Sequence, residues 1–127
     1  MVVNKANGNI ICTAEGFGKT HDFQLYKDTI GSHVLGSIKE QADSGYQGIS
    51  AFHRNSETPK KKPKGKELAD YEKRENRRIS RERILIENIN AKIKVFNIMK
   101  YPYRNRRKRH LLRLNLICGI INSEAKF

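Results

Sequence analysis

Arg81-Glu-Arg-Ile-Leu-Ile-Glu-Asn-Ile-Asn-Ala-Lys-Ile-Lys94 carries the pattern that decides the fold. Arg83 is followed after three residues by Glu87, and Glu87 after six by Lys94. On a helix Arg83 and Glu87 lie about 40° apart and Glu87 and Lys94 about 20° apart, so one carboxylate sits in a narrow stripe between two cations. Ile79, Ile86, Ile89, Ile93 and Phe96 form a separate apolar stripe able to dock on a core. A carboxylate beside a docked face, flanked by positive charge, suits a group that holds a hard divalent cation next to a phosphate backbone. Taken alone, the same pattern is also that of a surface ion-pair helix.

Working outward, the 127 residues allow one domain or part of one. Twenty-six Lys and Arg against thirteen Asp and Glu give a net charge of +13. After Glu87 the only acidic side chain is Glu124, whereas ten Lys or Arg occupy that segment. This distribution points to a polyanion, nucleic acid first and an anionic membrane second. No apolar run reaches the roughly 18 to 20 residues of a membrane span, and no signal-peptide pattern opens the chain. A membrane-surface role lacks a suitable amphipathic segment with large aromatics. Cys12 and Cys118 sit in apolar runs without metal-ligand spacing and read as buried free thiols of a reducing cytoplasm; four scattered histidines make no zinc pattern.

The order of elements is legible in outline. Val2-Val3-Asn4 and Ile10-Ile-Cys-Thr-Ala14 flank an Asn-Gly pair and predict a hairpin. Thr20 or Asp22 is placed to cap a helix carrying Phe23, Leu25 and Tyr26. Residues 38–43 read weakly as a strand ending in Asp43, residues 44–48 as a turn, and residues 49–53 as a short helix. Residues 54–66 form a basic, exposed and mobile loop with two prolines. Residues 67–99 read as helical, Ser80 being where a break fits. Tyr101-Pro102 stops that helix, and a basic helix follows over 104–122. Crossover rules predict a three-layer α/β arrangement with strand 38–43 parallel to an earlier strand, which puts Asp43 at a carboxyl end. Arg104 to Arg109 holds five cations in six positions; behind it Leu111, Leu112, Leu114, Leu116, Ile117, Ile120 and Ile121 supply a helix face for the core.

Four motifs together resemble a known family. Thr20-His-Asp-Phe-Gln-Leu-Tyr-Lys27, Ala42-Asp-Ser-Gly-Tyr-Gln-Gly48, Asn55 with Pro59-Lys-Lys-Lys-Pro-Lys64, and Tyr103-Arg-Asn-Arg-Arg-Lys-Arg109 with Arg113-Leu-Asn-Leu-Ile-Cys-Gly119 are similar to the DDE transposases of bacterial insertion sequences, in the group numbered five. The Arg-(3)-Glu-(6)-Lys spacing resembles that group's Tyr-(2)-Arg-(3)-Glu-(6)-Lys signature, with Ser80 where Tyr is usual. The resemblance covers almost the whole chain. It implies an RNase H-like fold and, in the intact family, Mg2+-dependent DNA strand cleavage and transfer with two ions about 3.5–4 Å apart. Asp43 and Glu87 would be the second and third catalytic metal ligands, and with two of three carboxylates Mg2+ binding here is expected to be weak or absent. It implies DNA as partner, at transposon ends and target, through Arg83, Lys94, Lys60, Lys61, Lys62, Arg104, Arg106, Arg107, Lys108 and Arg109. Localisation would be cytoplasmic, at the nucleoid. Tyr46 reads either as a ring stacking on DNA or as a packing aromatic, and loop 54–66 either as a phosphate tracker or as solvated charge.

The family's first catalytic Asp lies on an opening strand before the hairpin, and Met1 follows that point. Asp22 matches the start of a helix instead. The expectation is therefore a partial RNase H-like α/β fold, a hairpin and short sheet flanked by helices, with the first catalytic strand missing. Residues 1–127 would be the C-terminal portion of a DDE catalytic domain, able to self-associate or to pair with an upstream transposase piece. The polar pair Glu40-Gln41, where the family favours apolar residues, reads as further decay. On this reading the chain is a remnant or the downstream piece of a split gene, inactive alone, and whether it is itself an enzyme stays open. The alternative is a non-catalytic basic nucleic-acid-binding protein.

Overall fold

The structure is a computed structural model and describes residues 1–102 and 109–124. Its elements are β1 (Val2–Val3), β2 (Ile10–Cys12), α1 (Asp22–Asp28), β3 (Glu40–Gln41), α2 (Ile49–Phe52), β4 (Ser56–Glu57), α3 (Asp70–Val95), α4 (Asn97–Lys100) and α5 (His110–Glu124). The architecture is mixed α/β, and the chain divides into two compact units, Met1–Glu15 with Ile84–Phe127, and Gly16–Arg83. Among the described residues the strands form two separate two-stranded sheets, not one sheet between helix layers. No described helix is long and apolar enough to cross a membrane.

In the first unit β1 and β2 pair antiparallel, as the Asn-Gly signal predicts. The Asn4 N–H donates to the Asn9 carbonyl at 2.8 Å and Gly8, at φ 73°, donates to the Asn4 carbonyl at 2.8 Å. The left-handed backbone at Gly8 is one that other residues rarely adopt. The core gathers Ile10 of β2, Ile89 and Ile93 of α3, and Ile117, Cys118 and Ile121 of α5, with Val3, Leu85, Phe96, Ile98, Met99 and Leu114 packed on it. Burying each isoleucine contributes about 1.5–3 kcal/mol. The free edge of β2 is covered by a side chain: Asn122 accepts from the Ile10 N–H at 2.8 Å and donates to the Ile10 carbonyl at 2.9 Å. An amide thus stands in for a neighbouring strand and satisfies backbone groups that an open edge leaves unpaired. Both cysteines are free thiols; Cys118 is buried, which pushes its pKa up, whereas Cys12 is only half-buried.

The seven apolar residues of α5 do not form one inward face. Ile117 and Ile121 are buried, but Leu112, Leu116 and Ile120 are 65%, 66% and 39% exposed. Apolar residues so closely spaced wrap the helix, and only one side of it meets the core. Among the described residues the helix begins at His110, with Arg109 before it at φ 75°; the start predicted at 104 lies in residues 103–108, outside those described.

In the second unit His21 caps α1, its Nδ1 accepting from the Phe23 N–H at 3.3 Å, in place of the expected Thr20 or Asp22. Asp22 is instead the first helical residue, where its charge complements the helix dipole. The strand predicted over 38–43 shrinks to Glu40–Gln41, and it runs parallel to β4, a later strand instead of an earlier one. Its ladder is Glu40 N–H to the Asn55 carbonyl at 2.9 Å and Ala42 N–H to the Glu57 carbonyl at 3.0 Å. Loop 54–66 therefore contributes β4, which its polar composition concealed. Phe23, Tyr26, Tyr46 and Phe52 form an aromatic cluster with centroids 5.5–6.1 Å apart along Phe23–Tyr46, Tyr46–Tyr26 and Tyr26–Phe52.

The long helix α3 is continuous through Ser80 and ends at Val95. Arg78 bridges Glu75 and Glu82 at i−3 and i+4, which ties the turns on either side of Ser80. The break falls at Phe96, whose extended backbone opens α4 and whose ring packs on the first unit's core. Ile79, Ile89 and Ile93 of the predicted stripe are buried; Ile86 and Phe96 are half-buried.

Candidate metal and nucleic-acid site

Asp43 follows the carboxyl end of β3 and caps a 3-10 turn over Ser44–Tyr46. Its Oδ1 accepts a short hydrogen bond from the Gly45 N–H, and its carbonyl accepts from the Tyr46 N–H at 3.0 Å. A Cβ at Gly45 would lie 2.9 Å from that Oδ1, so any side chain there would displace the carboxylate. The other oxygen, Oδ2, meets Nη2 of Arg83 at 3.5 Å, the two side chains being 47% and 32% exposed. Two residues singled out by sequence, forty positions apart, thus form an ion pair.

What brings β3 to α3 is a polar network that sequence reading mistook for decay. The Gln41 amide donates to Glu57 at 2.9 Å and to Glu82 at 2.6 Å. Arg78 donates to Glu57 at 2.8 Å, Glu75 at 2.5 Å and Glu82 at 3.0 Å, and Lys39 adds an ion pair with Glu57 at 3.0 Å. Burial alone would push Glu57 up, but the hydrogen bonds from Arg78 and Lys39 outweigh it and hold its carboxyl below the usual range. Glu40, the other half of the pair, accepts a short hydrogen bond from the Tyr26 hydroxyl and lies 3.9 Å from Nε2 of buried His53, which also meets the Ile38 carbonyl at 2.7 Å. Each polar side chain of β3 therefore has its own partners. The Arg78 spacing to Glu75 and Glu82 was legible in the sequence; Glu57, Tyr26 and His53 were not, because those pairings depend on tertiary contact.

Tyr46 packs between Phe23 and Tyr26, so its ring is a packing aromatic. Burial raises its phenol pKa, and the charges of Asp22 and Asp43 raise it further. Glu87 and Lys94 are exposed on α3, and neither meets an opposite charge among the described residues. Lys60, in the loop before α3, is committed to that helix: its ammonium meets Glu72 at 2.7 Å, and its backbone exchanges hydrogen bonds with the Asn76 amide at 2.9 and 3.0 Å. Lys62 lies 4.0 Å from exposed Glu67, and Lys61 is exposed. Arg104, Arg106, Arg107 and Lys108 lie outside the described residues. Among the described residues no group of three His, Cys, Asp or Glu is placed to hold a metal ion. Asp43 and Glu87 are nonetheless hard oxygen donors at least partly open to solvent, which is the donor chemistry Mg2+ requires.

A family model described as DDE superfamily endonuclease matches residues 1–122. The chain is also 48% identical over 124 residues to a protein of Microchaete diplosiphon named "Probable transposase for insertion sequence element IS702". The match covers 98% of this chain and 45% of that relative, so the chain spans less than half of the relative's length. No solved structure matches the chain.

Proposed function

The chain belongs to the DDE superfamily endonucleases, and from that premise we propose that it is part of an insertion-sequence transposase that cuts and joins DNA strands with Mg2+ on an RNase H-like fold. Asp43 and Glu87 are the carboxylates that hold the cation. Arg83, Lys94, Lys61, Lys62 and the cluster Arg104, Arg106, Arg107, Lys108 and Arg109 meet phosphates; Lys60 serves chiefly to anchor its loop. The DNA partners are transposon ends and target, and the protein works at the nucleoid.

The observation that carries this reading is the ion pair of Asp43 with Arg83, the residue that opens the Arg-(3)-Glu-(6)-Lys spacing. The Gly45 N–H fixes one oxygen of Asp43 and so orients the other. Arg83 neutralises that oxygen and keeps a cationic donor beside it, ready for a phosphate. When bound, Mg2+ would supply Lewis acidity toward a phosphoryl oxygen and lower the pKa of an attacking water or 3′-OH.

The test is Mg2+-dependent nicking of a plasmid carrying the element's ends, by the transposase that contains these residues. Asp43→Asn and Glu87→Gln should each reduce nicking by at least about 100-fold, as loss of one member of a catalytic unit does, with DNA binding retained. DNA binding without nicking in the unaltered protein, or nicking that survives both substitutions, would leave the non-catalytic nucleic-acid binder as the better reading.

A further inference from the structure

The charged side chains just before and along the first four turns of α3 fall largely into two classes, with exposed Asp70 standing at the start of the helix on the side of Arg74. Glu67, Glu72, Glu75 and Glu82 are all taken, by Lys73, Lys60 and Arg78. Arg78 alone satisfies three carboxylates. Arg74, Arg77 and Arg81, by contrast, are exposed and meet no carboxylate among the described residues. At 100° per residue the three fall within about 60° of one another and advance about 10 Å along the axis. Their ridge lies on the side of α3 away from buried Ile79, which is about 140° round the helix from Arg74. Asp70, at i−4, offsets Arg74 alone; the like charges of Arg74–Arg77 and Arg77–Arg81 at i, i+3 and i, i+4 repel and weaken a helix, so the ridge is not explained by the stability of α3.

We infer that Arg74, Arg77 and Arg81 form a phosphate-binding ridge that tracks one strand of nucleic acid, separate from the Asp43–Arg83 site and from the basic loop. The inference rests on the reading above that the protein works on DNA. One strand carries a phosphate about every 3.4 Å of duplex axis, so a 10 Å row of cations spans about three. Guanidinium is the suited group, because its planar fork donates two hydrogen bonds to one phosphate where an ammonium acts as a point charge. The contact reads no sequence; it positions the duplex.

The experiment measures the affinity of the full chain for duplex DNA of unrelated sequence across a salt series. The triple variant Arg74→Gln, Arg77→Gln, Arg81→Gln keeps good helix formers at exposed positions, and circular dichroism checks that α3 is retained. Its slope of log K against log salt should flatten by about two to three units, roughly 0.9 per lost phosphate contact. The triple Lys variant, which keeps the charge, should keep the slope to within about one unit. An unchanged slope in the Gln variant overturns the ridge while leaving DNA binding intact. Equal losses in the Gln and Lys variants overturn it too, since charge would not be the cause. If the unaltered chain binds anionic phosphatidylserine vesicles and not DNA, the ridge and the DNA reading fall together.

Discussion

Tyr26→Phe removes one hydroxyl and leaves the ring in its aromatic cluster, so it isolates the hydrogen bond that holds Glu40. Tyr26 is 8% exposed and the Glu40 side chain 11%. Without the hydroxyl this shielded carboxylate keeps, among the described residues, only His53, at 3.9 Å, beyond hydrogen-bond distance. A hydrogen bond to a charged group is worth about 1.5–3 kcal/mol, and the stranded acceptor, with its side chain only 11% exposed, has little solvent to replace its donor. Urea unfolding at neutral pH should show a loss of about 2 kcal/mol at unchanged m-value, or roughly 8 °C in Tm for a chain of this size. Glu40→Leu in the same background should recover about 1–2 kcal/mol relative to the sum of the single changes, because removing both partners leaves nothing unsatisfied. The phenol supplies a second readout. Burial, reinforced by Glu40, raises its pKa well above the ordinary 10.0. The unfolded chain therefore loses this proton first as pH rises, so the stabilisation is complete below about pH 10 and declines above it. Tyr26→Phe should show a smaller alkaline decline. A loss under about 0.5 kcal/mol, the level of an ordinary surface change, with the alkaline profile unaltered, would refute the view that Glu40 is held by design of the fold.

The carboxyl of Glu57 is held below its ordinary value of 4.5, so its stabilisation is present above that pH and is lost as pH falls through the folded value. Arg78→Met should make the urea midpoint at neutral pH lower and its acid dependence flatter; an unchanged acid profile would show that Arg78 does not set Glu57. Asn122→Asp keeps an acceptor for the Ile10 N–H but loses the donor to the Ile10 carbonyl, and should cost about 1–3 kcal/mol in chemical denaturation. On α5, Ile117→Ala should cost about 2–5 kcal/mol while Leu116→Gln changes stability by less than about 0.5, the reverse order refuting the assignment of the helix face.

Local signals sufficed wherever a pattern and its partner lay within a turn or two of chain. The Asn-Gly hairpin, the long helix carrying Glu87, the stop at Tyr101-Pro102 and the Arg-(3)-Glu-(6)-Lys spacing were all legible because backbone preference and helical period act over neighbouring residues. The four ordered motifs likewise pointed to the family without a structure. What failed needed a partner far along the chain. Ser56–Glu57 has no strand-like composition and becomes β4 only because β3 offers an open edge. Glu40 and Gln41 looked misplaced until Tyr26, Glu57 and Glu82 supplied their hydrogen bonds. The side of α5 that faces the core could not be chosen from a helix apolar all round. The sequence by itself determined the hairpin, the helical run that carries Glu87 and the charge; tertiary structure decided where that run breaks, which edge pairs, which polar groups are satisfied and which apolar side is buried. Those outcomes depend on groups brought together across tens of residues, and the free energy of such contacts is written in no local window.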